Sequence, residues 1–316
     1  MPADEVSGGK RVLVLGEINV DLICQGYHAF PTPGREVLVD DFQMVLGSAS
    51  AICAMGLARL GTPVTFFGKV GDDPTGHFCL DAMRARGIDL SSVVLDPALK
   101  TGVTVAITSP VDRALVSYLG SIAALGEKDV PRALFAAADH VHVSSYYLQE
   151  KLRPGVGMLF REARAAGLTT SLDPGFDPSE RWEPDMRETL THTDIFFPNE
   201  VELRALTRLD DPEQAVRSLQ RGPTRVIAKL GAAGAMALDD EGRPVRVPAP
   251  AVDVIDTTGA GDSFDAGFLH AWLGGAGLAD SLRLGAACGA LSTRGLGGTA
   301  RQADLSEARA LMAARG

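Results

Sequence analysis

No run of apolar residues in this 316-residue chain reaches the ~18 that a membrane-spanning helix needs, so no membrane partner is expected. Cysteine is scarce. Cys24, Cys53, Cys79 and Cys288 are scattered and form no CxxC pair, which argues against a zinc site and a disulfide framework. Positive charge is in deficit as well, with a net charge of −10. Binding to a phosphate backbone relies on clustered Lys and Arg, so nucleic acid is not an expected partner. An anionic substrate would need a local positive site against this negative background. The leading MPADEVSGGKR lacks the apolar core of a secretory signal, and the cytoplasm is the expected compartment. Internal repeats and low-complexity linkers are missing too, so a single domain over 1–316 is the economical reading.

What is present is an alternation of apolar runs with helical patterns. RVLVLGEINVDLI opens as a strand buried on both faces, with Asn19 and Asp21 where the run ends. A helix over 48–61 closes on Gly61, and PVTFFGKVG is the next strand. The alternation resumes with HVHVSS, KLRPGVGMLFREARAAG, LTTSLDP, DIFFPNEVELRALT, PEQAVRSLQRG and TRVIAKLG. A hairpin turning on Glu241–Gly242 follows, and the chain from Asp262 is mostly helical. Strands separated by helices of this length imply right-handed βαβ units and an α/β, doubly wound, mostly parallel sheet. Segments 22–45 and 101–120 break the pattern and predict a small β lid, with a turn near Pro110–Arg113 and with Arg113 and Tyr118 as residues that either touch substrate or sit on a solvated hairpin.

The most informative stretch is VIDTTGAGDSFDAGFLHAW, residues 254–272. As a dinucleotide fingerprint it fails, because Phe264 stands where the third glycine belongs and no second strand precedes Asp280. As a hydrolase nucleophile block it lacks a His base, since His270 falls within the same helix. A phosphate cradle needs no further parts. Gly259, Ala260 and Gly261 carry almost no side chain, so their N–H groups can approach an anion at a helix N-terminus. Asp262 in the first turn would be electrostatically awkward there unless it accepts the proton of an attacking hydroxyl. A helix cap after a glycine turn is the plainer alternative. His140 and His142 share a strand face without a third ligand, which favours packing or hydrogen bonding over metal.

DTTGAGDSF resembles the C-terminal signature of the ribokinase-like (PfkB) carbohydrate kinases. GEINVDLI, LGSASAICAMGLARLG, GKVGDDPTGHF, PNEVEL and KLGAAGA are similar to that family's other motifs, in the same order along nearly the whole chain. The resemblance implies transfer of the γ-phosphate of ATP, with Mg²⁺, to a hydroxymethyl group of a sugar or sugar derivative. It implies Asp262 as catalytic base and Gly259, Ala260 and Gly261 as anion hole. Asn19, Asp21 and Gly47 would bind the acceptor. Asn199 and Glu202 would hold Mg²⁺ through water, and with Lys229, Gly231 and Gly234 would serve the nucleotide. Taken without the family, Asn199 and Glu202 also read as a helix cap and its capping-box partner. Asp256 and Thr258 match the family's monovalent-cation (K⁺) position, with further carbonyls expected around 292–297. Lid strands of this kind imply a homodimer. The chain departs from the pattern at Ser48, where a glycine is usual, and at Ile52, where an asparagine is usual. Isoleucine cannot bond a sugar hydroxyl, so the expectation moves from ribose toward a nucleoside or a deoxy sugar acid. A nucleoside kinase on the same scaffold and a non-catalytic sugar or nucleotide sensor are the alternative readings.

Overall fold

The opening apolar run forms the strand Val12–Leu15, all four residues buried. Its side chains alternate between two cores. Val12 and Val14 pack with Phe66, Phe264 and Phe268 on one side, and Leu13 and Leu15 pack with Val141, Val143 and Phe160 on the other. Burial on both faces is what a central parallel strand requires, and each such side chain contributes ~1.5–3 kcal/mol on leaving water. The computed structural model describes residues 9–26, 29, 31–108, 113–182, 185–220 and 222–314. Residues 1–8, the tip of the expected hairpin at 109–112 and the side chain of Arg113 lie outside them.

Six parallel strands form the main sheet in the order Arg225–Val226, Ile195–Phe196, Thr169–Leu172, His140–Val143, Val12–Leu15, Val64–Phe67. Helices Ala49–Arg59, Ala260–Leu273 and Leu278–Ser292 contribute to the first core and to the small cluster beside it, and Val156–Ala165 and Pro212–Leu219 contribute to the second. This is a doubly wound α/β fold. Its order reverses beside Val12–Leu15, where such sheets open a crevice at the strands' carboxyl ends.

A separate four-stranded sheet has the order Asp41–Leu46, Asn19–Gln25, Gly102–Thr108, Arg113–Tyr118. Its first strand starts at Asn19, only a few residues after the central strand ends. Asn19 and Asp21 therefore lie on this sheet rather than at the end of the first run. TRVIAKLG, expected as one strand, divides into Arg225–Val226 and Ala228–Lys229. The division marks a change of partners: Ile227 and Lys229 still donate to the Phe196 and Pro198 carbonyls, while Ala228 and Lys229 pair antiparallel with Met236 and Ala235. The hairpin Ala235–Leu238/Pro244–Val247 thereby gives the parallel sheet an antiparallel edge. The helix expected from Lys151 begins later, at Val156, behind a short turn at Arg153–Gly155, because Pro154 cannot donate a helical hydrogen bond. His140 and His142 are fully buried, and both nitrogens of each ring meet hydroxyls of Thr169, Ser171 or Ser144 at 2.7–2.8 Å. Burial lowers the pKa of both, His142 to about 4, so they are neutral core residues.

Candidate active site

The loop 256–259 is shaped by Asp256. One of its carboxylate oxygens accepts from the Thr258 N–H (2.9 Å) and hydroxyl (2.7 Å), and the other accepts from the Gly297 N–H (2.8 Å). Gly259 then caps the helix Ala260–Leu273 at φ 70°. A side chain there would meet Gly298 Cα at 2.6 Å and Ile52 Cγ2 at 3.0 Å, so glycine is required by conformation and by space alike. The Ala260 N–H bonds back to the Thr257 carbonyl at 3.2 Å. Among the described residues, the N–H groups of Gly261 and Asp262 have no such partner. With the helix dipole behind them, these two donors make the mouth of the helix attractive to an anion.

This mouth separates two cavities. The smaller, about 230 Å³, is bordered by Asn19, Asp21, Ile52, Ser145, Gly259 and Asp262. The larger, about 500 Å³, is bordered by Lys229, Gly231, Gly234, Ala260, Gly261 and Thr293. Successive residues of one turn thus face opposite compartments.

In the smaller cavity, Asn19 Nδ2 donates to Asp21 Oδ1 at 2.9 Å. A Cβ at Gly47 would lie 2.1 Å from that oxygen and 2.6 Å from Asn19 Nδ2, so Gly47 makes room for the pair rather than lining the cavity. Ser48 has φ 71°, the backbone region that favours glycine. Its hydroxyl is tied down twice, donating to the Glu17 carbonyl (2.6 Å) and accepting from the Ala51 N–H (3.0 Å). Glu17 is buried and accepts from both the N–H (3.1 Å) and the hydroxyl (2.5 Å) of Ser50.

On the other side, Lys229 Nζ lies 2.5 Å from Asp173 Oδ2 and 3.2 Å from both oxygens of Asp265, the two acids buried and the lysine partly so. Carboxylate oxygens of Asp173, Asp262 and Asp265 lie within 4.8 Å of one another. Burial pushes the Asp262 carboxyl up to about 7; the Asp173 charge adds to the rise and Lys229 opposes it. Burial also raises Glu202, to about 8, again with Asp173 contributing. For Asp173 burial acts upward too, but Lys229 and hydrogen bonds outweigh it and hold the group below the usual range. Lys229 is held firmly as the ammonium by the acids around it, against the opposing effect of burial. Asn199 caps the helix Glu200–Thr207: its side chain accepts from the Glu202 N–H (2.9 Å) and its own N–H donates to Glu202 Oε2 (2.8 Å).

The pfkB family carbohydrate kinase model matches residues 10–304. The chain belongs to the pfkB family. It is an ATP-dependent carbohydrate kinase. Its similarity to an ATP-dependent ribose-1-phosphate kinase of Halopiger xanaduensis is 33% identity over 287 residues, covering 89% of this chain and 91% of that one. A fructokinase of Klebsiella pneumoniae is 32% identical, with 91% and 94% covered. The structure of Arabidopsis thaliana ribokinase complexed with ribose and ATP superimposes with a TM-score of 0.84 at 25% identity, over 96% of this chain and 99% of that one.

For this pfkB kinase the fold gathers the residues singled out from the sequence around one helix mouth. Asn19, Asp21 and Asp262 border the smaller cavity, with Gly47 behind them; Lys229, Gly231 and Gly234 border the larger. Asn199 and Glu202 form the capping box that was the plainer reading of their spacing, and the same Glu202 carboxyl is buried within electrostatic reach of Asp173, Lys229 and Asp262. Four participants went unnoticed in the sequence. Asp173 ends a strand at the carboxyl edge of the sheet, where doubly wound folds bind ligands, and that position was the available signal. Asp265 follows Asp262 by three residues on the same helix, so the two share a face. Glu17 and Ser50 are joined only by tertiary structure and left no local signal.

Proposed function

We propose that the enzyme phosphorylates a hydroxymethyl group with Asp262 as general base. The observation that carries this reading is the shared helix mouth, with Asp262 on the side of the smaller cavity and Gly261 on the side of the larger. The acceptor occupies the smaller cavity, its hydroxyl directed at Asp262 and its neighbouring hydroxyls at Asn19 and Asp21. ATP occupies the larger cavity, with its terminal phosphate at the helix mouth beside Gly259–Gly261, where, among the described residues, the N–H groups of Gly261 and Asp262 are the free donors and that of Ala260 is engaged by Thr257. As the phosphoryl group moves, negative charge grows beside N–H groups already oriented toward it, so little reorganisation is needed at the moment of reaction. Asp262 takes the acceptor proton as the new P–O bond forms and ADP leaves.

Asn199 and Glu202 fit a Mg²⁺ role. The cap engages Oε2 of the buried Glu202, and its second carboxyl oxygen is a hard donor of the kind that suits that cation. Bound there, Mg²⁺ would neutralise phosphate charge. For K⁺, the oxygen-rich loop of Asp256 and Thr258 is joined to the Gly297 turn, and the Ile255 and Asp256 N–H groups both reach the Thr293 carbonyl.

The four-stranded sheet is proposed as a lid that excludes water from the transfer. Leu115 and Ser117 border the smaller cavity. By strand alternation Val116 and Tyr118 face away, and they are 63% and 54% exposed, as is Phe42 at 55%. An apolar outer face of this kind suits a second copy of the chain, giving a homodimer. Sedimentation equilibrium should show a dimer that Val116→Lys with Tyr118→Lys converts to monomer; a wild-type monomer ends that idea. Among the described residues no helix is long and apolar enough to cross a membrane, and the cytoplasm is the proposed compartment.

A nucleoside acceptor is the second reading, favoured by Ile52 where a hydroxyl-binding asparagine would suit a polyhydroxyl sugar. The kinase reading is tested by ADP release across sugars and nucleosides. Asp262→Asn should abolish turnover while sparing ATP binding, and full turnover in that variant would remove Asp262 from the role.

A further inference from the structure

We infer that the acceptor is an uncharged molecule with one hydroxyl-bearing edge and one apolar flank, rather than a sugar acid or a phosphate ester. The inference rests on the kinase reading for which cavity receives the acceptor, and on the walls of that cavity for the rest. Three carboxyl groups border it, those of Glu17, Asp21 and Asp262. Among the described residues, no Lys, Arg or His borders it. The partly buried cation of this region, Lys229, borders the other cavity and is engaged by Asp173 and Asp265. Arg113 pairs with Thr108 at the far end of the hairpin from Ser117, and its side chain lies outside the described residues.

A carboxylate or phosphate on the acceptor would enter this cavity against like charge, with no described side chain to neutralise it. Like charges ~5 Å apart in surroundings of effective dielectric ~20 weaken binding by about two orders of magnitude. Hydroxyls are suited to the same edge. Asp21 and Asn19 already bond each other, and together they offer both acceptors and donors to a vicinal diol.

The hydroxyl-bearing residues Ser48, Thr104, Ser117, Ser145 and Thr258 also border the cavity, but the part of the wall around Ile52 is apolar. Ile52 is 3% exposed and packs into the gap between two glycine turns: a Cβ at Gly298 would lie 2.3 Å from its Cδ1, and one at Gly259 3.0 Å from its Cγ2. Ile23, Leu115, Leu119 and Ile122 continue that surface. A hydroxyl pressed against it would lose its water and gain no partner, whereas a deoxy carbon or the face of a base would not. Ile52 is therefore assigned as a specificity-determining residue beside the anion hole.

The test compares matched acceptors on the full chain with ATP and Mg²⁺, following ADP release: ribose against ribose 1-phosphate, fructose against 2-keto-3-deoxygluconate, and adenosine and inosine as neutral molecules with an apolar flank. Binding of each is measured by calorimetry in parallel. The neutral class should exceed the anionic class in kcat/KM by about 100-fold. Adenosine or inosine leading identifies the flank as a base, and ribose or fructose leading identifies it as sugar carbon. Ile52→Asn should shift preference toward the more hydroxylated members, and Asp21→Asn should narrow the gap between neutral and anionic acceptors. Equal or better turnover of an anionic member overturns the inference and leaves the kinase reading intact. Neutral acceptors that bind without turnover keep this inference and overturn the kinase reading. Failure of every acceptor, neutral and anionic alike, to bind overturns both.

Discussion

Gly259→Ala is the sharpest perturbation of the proposed anion hole. Two costs can be separated. An alanine at φ 70° is strained by ~1–2 kcal/mol. Its Cβ would also lie 2.6 Å from Gly298 Cα and 3.0 Å from Ile52 Cγ2, and relieving such contacts typically costs ~1–3 kcal/mol. The sum, ~2–5 kcal/mol, is a large fraction of the ~5–15 kcal/mol of a typical domain but leaves most molecules folded at 25 °C. Because backbone must move to relieve the contact, the N–H groups at the helix mouth move with it. Loss of one such donor elsewhere costs ~10²–10³ in kcat. Gly61→Ala is the control, since Gly61 has φ 93° and nothing within 4 Å of an added Cβ. It carries the conformational cost without the collision, far from the mouth. Thermal melts and steady-state ADP release on both variants decide the matter. Gly259→Ala should melt lower than Gly61→Ala and lose at least ~100-fold in kcat, while Gly61→Ala keeps wild-type kcat. If Gly259→Ala retains kcat within a few fold, the helix mouth does not stabilise the transferring group.

Three further outcomes follow from the charges. Asp262 must be ionised to accept a proton, and with its carboxyl pushed up to about 7 the kcat/KM for acceptor should fall about tenfold per pH unit below that point and level off above it; a flat profile from about pH 5.5 to 8 contradicts this. The same raised pKa means the folded state holds this proton more tightly than the unfolded chain, so the associated stability is present at low pH and lost as pH rises from about 4 through about 7; Asp262→Asn should therefore gain in melting temperature relative to wild type at pH 8 more than at pH 5. Lys229→Met leaves Asp173 and Asp265 buried without their cation, which should lower unfolding stability by ~3–5 kcal/mol in denaturant titrations, with part of the loss recovered by adding Asp265→Asn; an unchanged midpoint would mean the ammonium is dispensable.

The parallel layering was legible because two-face burial leaves continuous apolar runs such as VLVL, and the helix mouth because glycines and an acid at its start are local in sequence. The division of TRVIAKLG was not legible, since it reflects which neighbours the backbone meets and not which side chains it carries. Likewise the Lys229 cluster joins residues 36 and 56 positions apart, and the Glu17–Ser50 bond spans 33. Such pairings leave no periodicity to read. A helix cap and a Mg²⁺ role are the two readings of Asn199 and Glu202 in the sequence; in the fold one Glu202 oxygen closes the cap while the group as a whole remains in the field of the acids and Lys229.

The strand Asn19–Gln25 leaves the central strand Val12–Leu15 after only a short link, whereas Arg113–Tyr118 sits two strands further out on the same small sheet. The acidic edge proposed to receive hydroxyls is thus tied by a short link to the central sheet, whereas Leu115 of the cavity's apolar wall sits on the outlying strand. A change confined to that outlying strand would therefore alter what the cavity admits while leaving the link from the central strand to Asn19 and Asp21 in place.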